Sequence, residues 1–236
     1  MAPDVSRGAC NLMSKGTVED RVTLLVMAGG KSRRMGRDKL LLPVPPKGVP
    51  LVLHVVERLL PIADHAFVLA NDAKICAALR RRGTCGSNLE MESARSRVRV
   101  DCIADDKSNQ GPLGGLATGL RRVEGWALAV AGDMPLVSPN VCRHLIELAD
   151  DDCDAVVAAV NGRVQPLHAL YHRRCLPAVE SSLAAGALRM DSFLGDIRVR
   201  AIEGETVRPL DPDLQSFFNA NTPTEWDEAV ALLSRG

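Results

Sequence analysis

Residues 27–39, MAGGKSRRMGRDK, crowd Lys31, Arg33, Arg34, Arg37 and Lys39 around a double glycine at 29 and 30. Glycines let a backbone approach an anion closely, and the N–H groups of a turn can converge on phosphate oxygens. Like charges this close need a counter-anion or open water. A triphosphate is the ligand such a loop would take, and a solvated basic turn is the alternative that charge alone leaves open. Two standard phosphate loops do not describe it. Gly30-Lys31-Ser32 copies the end of a P-loop, but the glycine required five residues earlier is Leu25. Glycines at 29, 30 and 36 also break the dinucleotide fingerprint GxGxxG. The second signal is AGDMP at 131–135. Its Asp133 follows an apolar run, at the kind of strand carboxyl end where open α/β sheets bind ligands. A carboxylate there, opposite a cationic loop, suits Mg²⁺ bridged to phosphates; a cap for the following turn is the plain alternative. Asp105 and Asp106 close an earlier apolar run, and Gln110-Gly111-Pro112-Leu113-Gly114-Gly115 offers a second flexible backbone cradle.

These residues need a scaffold that brings strand ends together. VTLLVMA (22–28), AFVLA (66–70), VRVDCIA (98–104) and WALAVAG (126–132) are short apolar runs, as buried strands are. PLVLHVVERLL (50–60), an alanine-rich stretch to about Arg82, GPLGGLATGLRRV (111–123) and SPNVCRHLIELAD (138–150) alternate with them as helices. The alternation predicts parallel βαβ units in a doubly wound, mostly parallel α/β sheet with helices on both faces. Past residue 153 the pattern changes: DAVVAAV (154–160) and VQPLHALYH (164–172) read as two strands around a turn. A helix near 173–185, a strand RVRAI (198–202) and a helix capped by Thr222 follow, with Pro223 at its first position and Glu225 completing a capping box. Residues 1–21 read as a flexible tail and 83–97 as a flexible excursion. The rest, 22–236, reads as one domain with a nucleotide-binding half to 152 and an acceptor-binding half from 153.

Composition narrows the classes. In 236 residues, 46% are hydrophobic and 25% charged, with Lys+Arg and Asp+Glu at 29 each. A zero net charge argues against a protein that coats nucleic acid or an anionic membrane. Aromatics at 3% leave few stacking platforms for single strands, and no apolar run approaches the roughly 20 residues of a membrane helix. Seven cysteines stand at wide spacing with no CxxC pair. This speaks against a disulfide framework or structural zinc, and leads to a cytoplasmic protein with reduced thiols. Arg80-Arg81-Arg82 with Arg95, Arg97 and Arg99 form a solvated insert or a docking face.

The opening segment resembles the first motif of nucleotidyltransferases of the nucleotide-sugar type, (L)AGGxSxRMGxDK. With QGPLGGLATGL (110–120), AGDMPLVS (131–138), QPLHALYH (165–172) and FFNANTP (217–223), the ordered set resembles the molybdenum cofactor guanylyltransferase family (MobA) over about 22–235. The resemblance implies a GT-A-type fold that binds GTP and Mg²⁺ and transfers GMP to the terminal phosphate of molybdenum-bound molybdopterin, releasing pyrophosphate and giving the guanine dinucleotide cofactor. It implies that Met27, Ala28, Gly29, Gly30 and Lys39 contact GTP, that Arg34 contacts phosphate, and that Asn71 and Asp105 contact the nucleotide. Asp133 takes the Mg²⁺ ligand's place, with Lys39, Arg34 and Asp133 as the catalytic set, and Asn219 and Asn221 fall on the pterin side. A monomer with molybdoenzyme-maturation proteins as further partners is implied too. KLLLP (39–43) and PVPPKGVP (43–50) also resemble the sibling cytidylyltransferase, whereas NANTP and QPLHALY favour the guanylyl branch. A sugar-phosphate nucleotidyltransferase and a non-catalytic pterin carrier are the other readings. Because the attacking phosphate is ionised at neutral pH, no catalytic histidine is required, and His54, His65, His144 and His172 read as packing or solvated. His168 lies inside a substrate-side motif and is the one with a claim to more.

Overall fold

The run Val22–Met27 forms strand β1, and its residues divide between two cores as a strand buried on both faces must. Val22, Leu24 and Val26 enter one layer; Leu25 and Met27 enter the other. The computed structural model describes residues 22–29, 38–80, 89–92, 97–107 and 109–235. Gly30 and Arg34, with Lys31, Arg33, Arg37, the tail 1–21 and most of 81–96, lie outside the described residues.

After a 3₁₀ turn at Lys39–Leu41, a small antiparallel hairpin, β2 (Pro43–Val44) and β3 (Val49–Pro50), leads into helix α1 (Leu51–Leu59). Then come β4 (His65–Leu69), α2 (Ala73–Arg80), β5 (Leu89–Glu92), β6 (Arg97–Ile103), α3 (Gly111–Leu120), β7 (Trp126–Ala131) and α4 (Pro139–Glu147). The last third holds β8 (Ala155–Val160), β9 (Arg163–His172), α5 (Leu176–Ala184), β10 (Val199–Glu203), a single turn α6 (Gly204–Val207) and α7 (Pro223–Leu233). The main sheet has eight strands in the order β10-β8-β9-β7-β1-β4-β6-β5. β1 pairs in parallel with β4 and β7, β4 with β6, and β8 with β10. β5 and β9 are the strands that run against the rest. α1, α2, α4 and α7 bury residues in the core on one face, and α3 and α5 in the core on the other. The expected α/β sheet covered on both faces is therefore what forms.

Two expectations need correction. The excursion at 83–97 contains β5, which pairs antiparallel with β6 and closes one sheet edge. Its sequence, LEME, is too short and polar to stand out as a strand, and ladder bonds to a neighbour decide its state. The expectation of reduced thiols also fails, because Cys76 in α2 and Cys102 in β6 form a disulfide with Cα atoms 5.6 Å apart. Twenty-six residues separate the two, so no local spacing announced the pair; only the packing of α2 beside β6 brings them together. Cys142, Cys153 and Cys175 are free and buried.

Candidate nucleotide and acceptor site

The carboxyl ends of β1, β4, β6 and β7 lie at one rim of the sheet because these strands run in parallel. At that rim the chain leaving β1 is threaded between its neighbours. The Ala28 amide donates to the Leu69 carbonyl at 2.9 Å, and the Gly132 amide donates to the Met27 carbonyl at 2.9 Å. Met27 and Ala28 are buried and Gly29 is exposed at the mouth. Gly132 has a steric reason for its identity: a Cβ there would stand 3.2 Å from the Met27 carbonyl oxygen, so a side chain would push the next residue, Asp133, off the strand end.

Asp133 and Lys39 meet there. The Asp38 side chain accepts from the Leu40 amide at 3.2 Å and caps the 3₁₀ turn, and Leu40 anchors that turn in the core. This directs Lys39 Nζ to Asp133 Oδ2, each side chain being 16% exposed. The same ammonium donates to Asn221 Oδ1 at 2.7 Å. Asn221 comes from 182 residues away in sequence, and its backbone is held by the capping box: Glu225 Oε2 accepts from both the Asn221 and Thr222 amides at 2.8 Å. The Ala220 amide donates to the Asp133 carbonyl at 3.0 Å, so the 219–221 segment and the strand end move as one piece. Asn219, in contrast, turns its Nδ2 to its own loop and donates to the Phe217 carbonyl at 3.2 Å. Sequence reasoning placed both asparagines on the acceptor side; the structure draws Asn221 into the Lys39–Asp133 centre.

The loop after Asp133 is pinned from below by α1. His54 Nε2 donates to the Pro135 carbonyl at 2.9 Å and Arg58 Nε donates to the Val137 carbonyl at 2.8 Å. A carbonyl can only accept, so Nε2 carries the proton. Burial lowers the His54 pKa below its ordinary value, which favours the neutral ring. Neither residue announced itself in sequence, because each reads there as an ordinary polar position of an amphipathic helix.

Two and three strands away from β7, at the ends of β4 and β6, Asn71 and Asp105 pair with each other. Asn71 Nδ2 donates to Asp105 Oδ2 at 2.7 Å, and the Asp105 amide donates to Asn71 Oδ1 at 2.9 Å. The reciprocal pair fixes both side chains at the ends of β4 and β6. Asp106 is otherwise engaged, since Arg122 NH2 lies 2.9 Å from its Oδ1 and Arg121 NH1 lies 2.8 Å from its Oδ2. The Arg122 hydrogen bond, the largest effect, holds its carboxyl below the usual range against the opposing effect of burial, and Arg121 adds to the lowering. The neighbouring carboxylates thus part company: Asp106 ties α3 down and Asp105 faces the rim. Gly115 lets α3 approach, because a Cβ there would lie 3.4 Å from Asp105 Oδ1 and 3.2 Å from Met27 Sδ.

His168 lies fully buried, not on the substrate surface. Its Nε2 is 3.3 Å from Cys142 Sγ and its ring centroid 4.5 Å from that of Phe217, while Nδ1 has no hydrogen-bond partner. Burial pushes its pKa down to about 4. It supports the 217–221 segment from behind, joined by Ser216, whose hydroxyl oxygen accepts from the Ser138 amide at 2.8 Å.

Asp133 presents a second carboxylate oxygen beyond the one that meets Lys39. Among the described residues no group of three His, Cys, Asp or Glu could hold a metal by itself. This donor set fits Mg²⁺, which keeps waters and takes one or two carboxylates together with substrate phosphates.

The geometry agrees with what the chain is similar to. Residues 24–199 match the model of the MobA-like NTP transferase domain. A probable molybdenum cofactor guanylyltransferase of Natronomonas pharaonis is 33% identical over 90% of this chain and 98% of its own length. The molybdenum cofactor guanylyltransferase of Desulfosudis oleivorans is 28% identical over 92% of this chain and 98% of its own. Among solved structures, molybdopterin-guanine dinucleotide biosynthesis protein A from Archaeoglobus fulgidus superposes with a TM-score of 0.73 at 26% identity, over 91% of this chain and 100% of that one.

Proposed function

The chain belongs to the MobA-like NTP transferase family, and from that premise we propose that it transfers GMP from GTP to molybdopterin, forming the guanine dinucleotide cofactor and releasing pyrophosphate. The observation that carries this reading is the meeting of Lys39, Asp133 and Asn221 at the rim that β1 and β7 share. GTP lies across the rim with its base side toward Asn71 and Asp105, against Met27, Ala28, Gly29 and Gly30, and Arg34 joins Lys39 on the phosphates. Residues 22–152 serve the nucleotide and 153–236 the acceptor.

In the transfer, an acceptor phosphate oxygen forms a bond to the α-phosphorus, and the bridging bond to the β-phosphate breaks as pyrophosphate leaves. Both reactants are anions, so charge and orientation set the barrier. Lys39 balances the charge gathering on the leaving group, and Asn221 keeps its ammonium aimed. Asp133 would hold Mg²⁺, whose chemistry there would be to neutralise phosphate oxygens. A phosphate monoester, with its second pKa near about 6, is already ionised at neutral pH, so no side chain need remove a proton. A monomer is the assembly we assign to this chain. No helix among the described residues is long and apolar enough to cross a membrane. The cytoplasm supplies GTP and is the compartment we assign; the Cys76–Cys102 bond is then of a kind uncommon in reducing surroundings.

Pyrophosphate release from GTP and from CTP, with and without molybdopterin and Mg²⁺, tests the reading. Release should require GTP, the metal and the acceptor together. Asp133→Asn should fold normally and lose about a hundredfold or more in rate. Preference for CTP, or near-normal turnover by Asp133→Asn, would refute it.

A further inference from the structure

In the loop that leaves β6, two consecutive backbone amides are held by side chains of two different elements. The Asp105 amide donates to Asn71 Oδ1 at 2.9 Å, just past β4, and the Asp106 amide donates to Thr118 Oγ1 at 3.0 Å, inside α3. Each residue has only two soft backbone dihedrals, so tying both amides leaves this stretch little freedom to turn.

Thr118 is 1% exposed, and Leu113, Leu116, Ala117 and Leu120 of the same helix are buried with it. A hydroxyl in such a place costs free energy unless it is hydrogen-bonded, and valine would fill the space without that cost. What the hydroxyl supplies is the bond to the Asp106 amide. One turn later, Arg122 NH1 donates to the Thr118 carbonyl at 2.6 Å and its NH2 donates to Asp106 Oδ1 at 2.9 Å. Arg121 NH1 donates to Asp106 Oδ2 at 2.8 Å, and its NH2 donates to Glu180 Oε1 of α5 at 2.6 Å. A single helix therefore grips Asp106 at its amide and at both carboxylate oxygens. Ion pairs as exposed as these add little to stability, which leaves geometry as their use.

The geometry they set is that of the preceding residue. Asp105 accepts from Asn71 Nδ2 at 2.7 Å through Oδ2, and its Oδ1 is bonded to no described residue. Hydrogen bonds weaken steeply as distance and angle depart from their optimum. A carboxylate carried on a loop binds a ligand only as well as that loop is fixed.

We infer that Thr118 and Arg122 are positioning residues for nucleotide binding, holding the amide and carboxylate of Asp106 so that Asp105 Oδ1 stands ready at the rim. The inference rests on the proposed transfer reaction and adds to it two residues that act through Asp105. Thr118→Val keeps the shape and removes the hydroxyl, and Thr118→Ser returns it. Arg122 is exposed, so Arg122→Gln keeps the fold whatever Thr118→Val does. The first measurement is steady-state pyrophosphate release with GTP and molybdopterin varied separately. Thr118→Val and Arg122→Gln should each raise the GTP KM about tenfold and leave kcat and the acceptor KM within about twofold, and Thr118→Ser should restore the wild-type GTP KM. The second measurement is GTP binding by calorimetry with Mg²⁺ and no acceptor. Arg122→Gln should weaken binding about tenfold in the wild-type background and add no further loss to Asp105→Ala, because one residue acts through the other. If the wild-type protein neither binds GTP nor transfers GMP, the reaction is wrongly assigned and this inference goes with it. If the wild type does both, the inference alone is overturned by any of three results: wild-type GTP KM and binding in Arg122→Gln, a loss that persists in full beside Asp105→Ala, or a loss that falls equally on the acceptor.

Discussion

Replacing His168 by phenylalanine should remove a defined part of the protein's sensitivity to acid. The ring is fully buried, with Cys142 and Phe217 against it, and burial lowers its pKa from 6.5 to about 4. The unfolded chain binds a proton as pH falls through 6.5, whereas the folded protein resists until about 4. A depressed histidine pKa therefore gives stability that is fully present above the unfolded value and lost on the way down to the folded one. Between pH 7 and pH 5 the loss comes to about 2 kcal/mol, and over the whole interval to about 3 kcal/mol. For a chain of this size, 2 kcal/mol corresponds to a fall in Tm of about 4–8 °C. His54 and His172 are also lowered by burial, but they are common to both proteins and cancel in the difference. The paired carboxylates such as Asp154, held low chiefly by Arg198, titrate below this window. Urea unfolding of wild type and His168→Phe at pH 7 and pH 5 should show the wild type losing about 2 kcal/mol more than the variant. Equal losses would mean that His168 is reached by water or protonated in the folded state, and the buried neutral support behind Phe217 would have to be given up.

Asn221→Ala removes the second partner of the Lys39 ammonium and should lower kcat about tenfold or more with little change in GTP affinity; full kcat in a pyrophosphate-release assay would make Asn221 a bystander. Reducing the Cys76–Cys102 bond reopens a loop of 26 residues, which chain entropy values at about 3.5 kcal/mol. Urea midpoints with and without dithiothreitol, and in Cys76→Ser, check this, and coincident curves for oxidised and reduced wild type would show that the bond contributes nothing.

Much of the scaffold was legible because its signals are local. Val22–Met27 and Trp126–Ala131 read as strands because apolar residues occupy every position but Thr23, a near-continuous run that suits an element buried on both faces. The last helix could be placed from Thr222, Pro223 and Glu225, since a capping box satisfies its own backbone groups within four residues. The motif order also marked Lys39 and Asp133 as partners, and they meet. What was not legible depends on distant contacts. The polar segment 89–92 becomes a strand through β6, and Asp105 differs from Asp106 because Arg121 and Arg122 claim the latter.

The amino-acid sequence by itself determined the alternation of elements, the glycines that end the strands, and the identity of the cation and carboxylate at the site, because propensity, burial pattern and capping act over a few residues. Only the tertiary structure decided that β9 slots between β7 and β8, that Asn221 reaches Lys39, that Cys76 meets Cys102, and that His168 is sealed from water. Those facts rest on which surfaces pack together across the whole chain, and such packing is the sum of many weak contacts that no short stretch of residues encodes.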